Sequence, residues 1–326
     1  MLVIDRNLKI ALFSVLCAIA GSWISHRYLW LRHHFTTAEE AYQAAQCQEA
    51  IANYQAVLNQ GLIIDFHDWQ LQAQVKQGEC RDFQQLSSAP NSTTLLAYTD
   101  FVSRYPDSAL VPFVREQNET LWQEADLANL APIELCDRVN ELETNRLIAQ
   151  RDTNLPLFYK ACGQSYTAAA QHSEAAAIYQ RFLDNYNQHE KAEAVKAAWA
   201  ESVVLETKAT GAGTIERPGL SGYTNDGSTV IEIRNDSPEE IRLVFSGPQP
   251  RYEEIEPCTD CETFVGQEPE GCPDRGPLQR YVLKPGQYDV VVKSMSGRVV
   301  RPFTGTWQLD PNAVYSNCFF IVQQPS

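Results

Sequence analysis

The chain has 326 residues, 44% of them hydrophobic and 21% charged, which excludes wholesale disorder and leaves room for more than one domain. Its formal net charge is −15. Up to Phe35 the basic residues Arg6, Lys9, Arg27 and Arg32 outnumber the lone acid Asp5, so the body beyond is more acidic still and repels nucleic-acid phosphates and anionic lipid.

The first segment, "IALFSVLCAIAGSWIS" at 10–25, carries no charge. Roughly 16 residues of helix at ~1.5 Å each cover about 24 Å, against a hydrocarbon core of ~30 Å. Lys9 and Arg27 can snorkel from its ends, and Trp23, Tyr28 and Trp30 suit the far interface. Residues 1–35 are therefore expected to form a single-pass transmembrane anchor that leaves the rest of the chain extracytoplasmic, in a periplasm or lumen. The alternatives are a cleaved signal peptide, with Ala18-Ile19-Ala20 as its cleavage site, and a buried helix.

From 36 to 206 the chain is rich in Ala, Gln, Glu and Leu and poor in β-branched runs, the composition of helices. Internal similarity is strongest around "LFYKACGQSYTAAAQHSEAAAIYQRFLDNYN", 157–187, with Gly163 and Tyr166 on a first helix and Ala175, Tyr179 and Phe182 on a second. Small residues let paired helices approach, and aromatics fill the groove between them. At 38–58, Ala50 and Tyr54 repeat the spacing of Ala175 and Tyr179. At 95–117, Tyr98 and Phe101 precede Tyr105-Pro106, where proline closes a helix. The 157–187 unit closely resembles a tetratricopeptide repeat. That resemblance implies a helical solenoid over 36–206 which binds a protein partner on its concave face.

"TKATGAGTIERPGLSGYTNDGS", 207–228, has the composition of a linker. Beyond it the pattern changes to β. "STVIEIRN" and "IRLVFSG" flank the turn "SPEE"; Pro285-Gly286 divides "RYVLKPGQYDVVVKSM"; a further hairpin is expected around Asp310-Pro311-Asn312. Five or more short strands over 229–326 predict an antiparallel β-sandwich of immunoglobulin-like type. The whole chain is thus expected to be an α+β multidomain protein: transmembrane helix, all-α solenoid, linker and sandwich. In this arrangement it resembles envelope proteins of bacteria such as cyanobacteria, a likeness that implies no particular activity.

A long acidic, proline-rich excursion inside the sandwich carries "EIEPCTDCETF", 254–264. A redox role for Cys258 and Cys261 is disfavoured, because the surrounding carboxylates oppose a thiolate and no helix start is indicated. Zinc is a second reading: Cys258 and Cys261 have ligand spacing, and Cys272 and Cys318 complete a four-sulfur set, but no second C-x-x-C knuckle occurs. The favoured reading makes these four cysteines disulfide staples in an exported protein. Their connectivity stays open, since four cysteines permit three pairings. Cys47, Cys80, Cys136 and Cys162 form a second set of four among the helices, either bridged or packed as free thiols.

No histidine lies beyond His189, and no phosphate-loop, zincin or nucleophile-elbow motif occurs, so neither catalytic nor cofactor-binding residues are assigned. The expected function is a membrane-anchored, non-enzymatic adaptor for a protein partner, with no nucleic acid and no cofactor other than the alternative zinc. A second expectation is binding of cell-wall glycan or another ligand by the sandwich loop, with Tyr252, Phe264 and Tyr281 as stacking residues. A thiol-disulfide redox protein is the third.

Overall fold

The computed structural model describes residues 6–60, 66–86, 88–89, 91–124, 131–148, 154–295 and 300–323. In chain order the helices are α1 (Arg6–Gln43), α2 (Cys47–Asn59), α3 (Trp69–Gln84), α4 (Ser92–Arg104), α5 (Val111–Glu124), α6 (Ile133–Cys136), α7 (Val139–Thr144), α8 (Asn154–Ala168), α9 (His172–Tyr186) and α10 (Ala192–Ala209). The chain divides into two compact units, Met1–Leu130 with Asp137–Asn154, and Ala131–Cys136 with Leu155–Ser326.

In the first unit, α2 buries Cys47, Ala50, Tyr54 and Val57, a spacing that draws one stripe along a 3.6-residue helix. That stripe faces the C-terminal half of α1, where Leu31, Phe35, Ala38 and Tyr42 are buried. Phe35 stacks on Trp69 at 5.5 Å between ring centroids, and a Cys47–Cys80 disulfide ties α2 to α3. The Asn91 side chain caps α4 by accepting from Thr94 N at 2.9 Å, and α4 ends at Arg104 just before Pro106.

In the second unit α8 and α9 form a helical hairpin, and Cys136–Cys162 ties α6 to α8. The α1–α2 and α8–α9 connections share one geometry. In each an alanine takes a left-handed backbone, Ala45 (φ 55°) and Ala170 (φ 58°). The next amide reaches back five residues, Gln46 N to Ala41 O at 2.8 Å and Gln171 N to Tyr166 O at 2.9 Å. The alanine amides bond three residues back, to Tyr42 O and Thr167 O, at 3.0 Å in both. This is the Schellman closure, which satisfies carbonyls that a helix end otherwise leaves orphaned.

The strands build two packed sheets. One has the order β1 (Gly213–Thr214), β9 (Phe303–Leu309), β8 (Gly286–Ser294), β4 (Ile241–Ser246), β5 (Arg251–Ile255). The other has the order β2 (Gly219–Tyr223), β10 (Ala313–Phe319), β3 (Thr229–Asn235), β7 (Leu278–Leu283). A short third pair joins β6 (Phe264–Val265) to β11 (Val322–Gln323). The expected antiparallel sandwich is corrected to one with mixed sheets, because β1 runs parallel to β9 and β10 parallel to β3. The reason lies in the turns. β7–β8 and β9–β10 were expected as hairpins and "SPEE" as the turn between β3 and β4, yet the members of each pair lie in different sheets. The "SPEE", Pro285-Gly286 and Asp310–Asn312 turns are therefore arches over the core. Gly286, at φ 142°, permits one of them.

The segment 207–228, expected as a linker, contributes the end of α10 and strands β1 and β2, one to each sheet. α10 lies on the outer face of the five-stranded sheet. Lys208 pairs with Asp289 at 3.2 Å, Lys293 with Glu206 at 3.0 Å, and Trp199 meets Tyr252 edge-on at 5.2 Å. Val244 and Val291, which face away from the sandwich core, are consequently buried too.

The expected transmembrane anchor and single-pass location are also corrected. Among the described residues no helix is long and apolar enough to cross a membrane. α1 has 38 residues, but its charge-free part is short and gives way to His26, Arg27, Arg32, His33 and His34. From Leu31 onward the helix is committed to packing. The four disulfides of the chain fit an oxidising, extracytoplasmic location.

Candidate functional site

Two clefts, one in each unit, gather polar side chains. The cleft of the first unit, about 340 Å³, is lined by Tyr42, Lys76, Glu79, Arg104, Tyr105 and Ser108 among others. Tyr42 enters from the last turn of α1. Lys76 and Glu79, three apart on α3, share a face. Tyr105 caps the C-terminus of α4, and Ser108 follows in the loop that Pro106 opens.

These side chains are tied into two groups by hydrogen bonds and a cation–ring contact. The Tyr42 hydroxyl donates to the buried Glu79 carboxylate and shares a 2.8 Å hydrogen bond with Ser108 Oγ. Glu39 accepts from Tyr54 at 2.5 Å and from Lys76 Nζ at 2.6 and 2.8 Å, and the Lys76 ammonium also lies 5.3 Å from the centre of the Tyr42 ring. On the other wall, Asp82 accepts from Arg104 at 2.9 Å and from Tyr105 at 2.8 Å. Burial and then the adjacent carboxylates push Tyr42 and Tyr54 far above the ordinary phenol value. A serine, a tyrosine and a lysine so close invite a nucleophilic reading. In the geometry observed, the Tyr42 proton goes to Glu79, which leaves its oxygen to accept from Ser108, and Lys76 is held by Glu39. The arrangement presents fixed donors and acceptors.

The expected packing residues are distributed between the units. Ala50 and Tyr54 are fully buried on α2, and Tyr54 also anchors the first group through Glu39. In the other unit Gly163 and Tyr166 on α8 face Ala175 and Tyr179 on α9. Gly163 lies so close to the Tyr179 ring that a Cβ there would overlap it.

The four sandwich cysteines form two disulfides, Cys258–Cys261 and Cys272–Cys318. Their sulfurs are bonded in pairs and are not gathered as a tetrathiolate, and among the described residues no cluster of three or more metal-type side chains occurs. The loop is further fixed from Asn235 and Asp236, both buried. The Asn235 amide donates to the carbonyls of Glu239, Ile255 and Glu256 at 2.8–3.2 Å, and Asp236 Oδ1 accepts from the amides of Arg275 and Gly276 at 2.8 and 2.7 Å. Sequence reasoning missed this network. Its signal is the run Asn235-Asp236-Ser237, whose side chains favour local backbone bonds.

Of the three expected stacking residues, Tyr281 is buried in the core, where burial, and next the charge of Glu253, pushes its phenol up to about 12. Phe264 packs against Phe320 at 5.7 Å. Phe264 is half-buried, and Tyr252 is the most open of the three, at 39% exposure, in the second cleft. Compared with known proteins, the chain matches no family model and no curated protein.

Proposed function

We propose that the protein is a non-enzymatic adaptor of an oxidising compartment, which holds a protein partner against its helical hairpins; their spacing is tetratricopeptide-like. The observation that supports this reading is the polar cleft of the first unit. Tyr42 donates to Glu79 and meets Ser108, and Lys76 is held by Glu39, so the lining presents groups already fixed by hydrogen bonds. Groups fixed before binding lose little conformational freedom when a partner arrives, and a buried network gives specificity through the cost of leaving its members unpaired.

The test is site-directed photocrosslinking in the full, oxidised chain. A photoreactive residue at Gln43, which lines the cleft, is expected to capture a defined protein. The same group at Leu71, exposed on the outer side of α3, is expected not to. Ala109→Trp, which fills the cleft, is expected to abolish capture while the thermal midpoint stays within about 3 °C. Capture that is equal from both positions, or unchanged by Ala109→Trp, contradicts the reading.

A further inference from the structure

The cleft of the second unit, about 470 Å³, lies between the start of α10 and the β4–β5 turn, and is lined by Glu193, Lys196, Gln249, Pro250, Arg251, Tyr252 and Glu253. Its volume is that of an ordinary small-molecule site. Three features define what it would accept.

The first is charge balance. Lys196 pairs with Glu193 at 2.9 Å, and Arg251 pairs with Glu253, so the four charged groups of the lining cancel. The lining therefore carries no net charge. It does present ammonium, guanidinium and carboxylate groups side by side, which is a dense set of both donors and acceptors. The second is the Tyr252 ring. Trp199 meets it edge-on at 5.2 Å and the Arg242 guanidinium lies over one of its faces, 5.6 Å from the centre, yet 39% of the residue remains open. The third is preorganisation. The Arg251 guanidinium is stacked over Tyr281 at 5.3 Å, and Gln249 Oε1 already accepts from Lys284 N at 3.0 Å.

We infer that this cleft binds a neutral sugar. A sugar ring has one apolar face of C–H groups and a rim of hydroxyls, each of which both donates and accepts. The apolar face suits Tyr252 and Pro250, and the rim suits two ion pairs that can donate and accept without net charge. A charged ligand would leave one member of a pair unmatched. The site is independent of the adaptor cleft, so either reading can fail alone.

The full chain with its disulfides intact is titrated calorimetrically with cellobiose, maltose and N,N′-diacetylchitobiose, and with glucuronic acid as the charged comparator. At least one neutral disaccharide is expected to bind with Kd near 1 mM or tighter. Tyr252→Ala is expected to weaken it roughly tenfold or more, whereas Tyr252→Phe, which keeps the ring, retains binding. If Tyr252→Ala does not fold, Lys196→Ala, at a half-buried position on α10, gives the same weakening on a folded chain. Failure of all three disaccharides to bind, binding that survives Tyr252→Ala or Lys196→Ala in the folded protein, or tighter binding of glucuronic acid overturns the inference.

Discussion

Ala170 and Gly163, seven residues apart on one helical hairpin, have opposite needs. Ala170 holds a left-handed backbone that costs an L-residue about 1 kcal/mol, and the Schellman bonds keep it there. Ala170→Gly is therefore expected to stabilise the protein by roughly 0.5–1 kcal/mol, read as a higher urea midpoint. At Gly163 helix propensity alone favours alanine by about 1 kcal/mol. The Tyr179 ring, 2% exposed and without room to move, reverses the sign. Gly163→Ala is expected to cost about 1–3 kcal/mol, and a more stable variant would show that the two helices are not in this contact. Only Gly163 was legible in the sequence. The spacing of Gly163, Tyr166, Ala175 and Tyr179 pointed to a packed hairpin, but nothing local distinguishes Ala170 from the alanines beside it, because the left-handed turn is imposed by where α9 must go.

At the scale of elements, α10 and the arches decide the sandwich. Trp199, 3% exposed, joins α10 to the five-stranded sheet, and Trp199→Ala is expected to cost about 3–5 kcal/mol by thermal denaturation. The run Val290-Val291-Val292 already hinted at this layer, since a strand covered on one face alternates and a strand covered on both does not. The arches were not legible. A proline-glycine turn has the same composition whether its strands pair or cross the core, and only the position of the opposing sheet separates the two. The disulfides differ in the same way. Chain entropy assigns about 4 kcal/mol to Cys272–Cys318, which closes a separation of 46 residues, and about 1.5 kcal/mol to Cys258–Cys261, which closes 3. Replacing both cysteines of the first bridge by serine is expected to lower the unfolding free energy by more than the same change in the second. Equal losses would mean that the loop is held by the Asn235 and Asp236 bonds instead.

Over the whole molecule, alkali offers a test of the buried phenols. In the unfolded chain a tyrosine ionises near 10, whereas Tyr281 in the fold keeps its proton to about 12, and Tyr98, Tyr179 and Tyr288 are shifted in the same direction by burial. Between those values the unfolded state has lost protons that the folded state retains, so stability is complete below pH 10 and falls as pH rises through 12. The urea midpoint, followed together with phenolate absorbance, is expected to decline from about pH 10. A midpoint flat to pH 12 would place these rings in water.

What the amino-acid sequence determined by itself was the order of structural types: a helical stretch, then β-strands, with cysteines in two sets of four. These follow from periodicity, propensity and composition, which act between near neighbours. Which strands pair, which cysteines join, that α10 covers a sheet, and that Tyr252 opens to a cleft while Tyr281 is buried were decided only by the tertiary structure. Those outcomes depend on residues tens of positions apart sharing one core, and the free energy that selects them exists only once the core has formed.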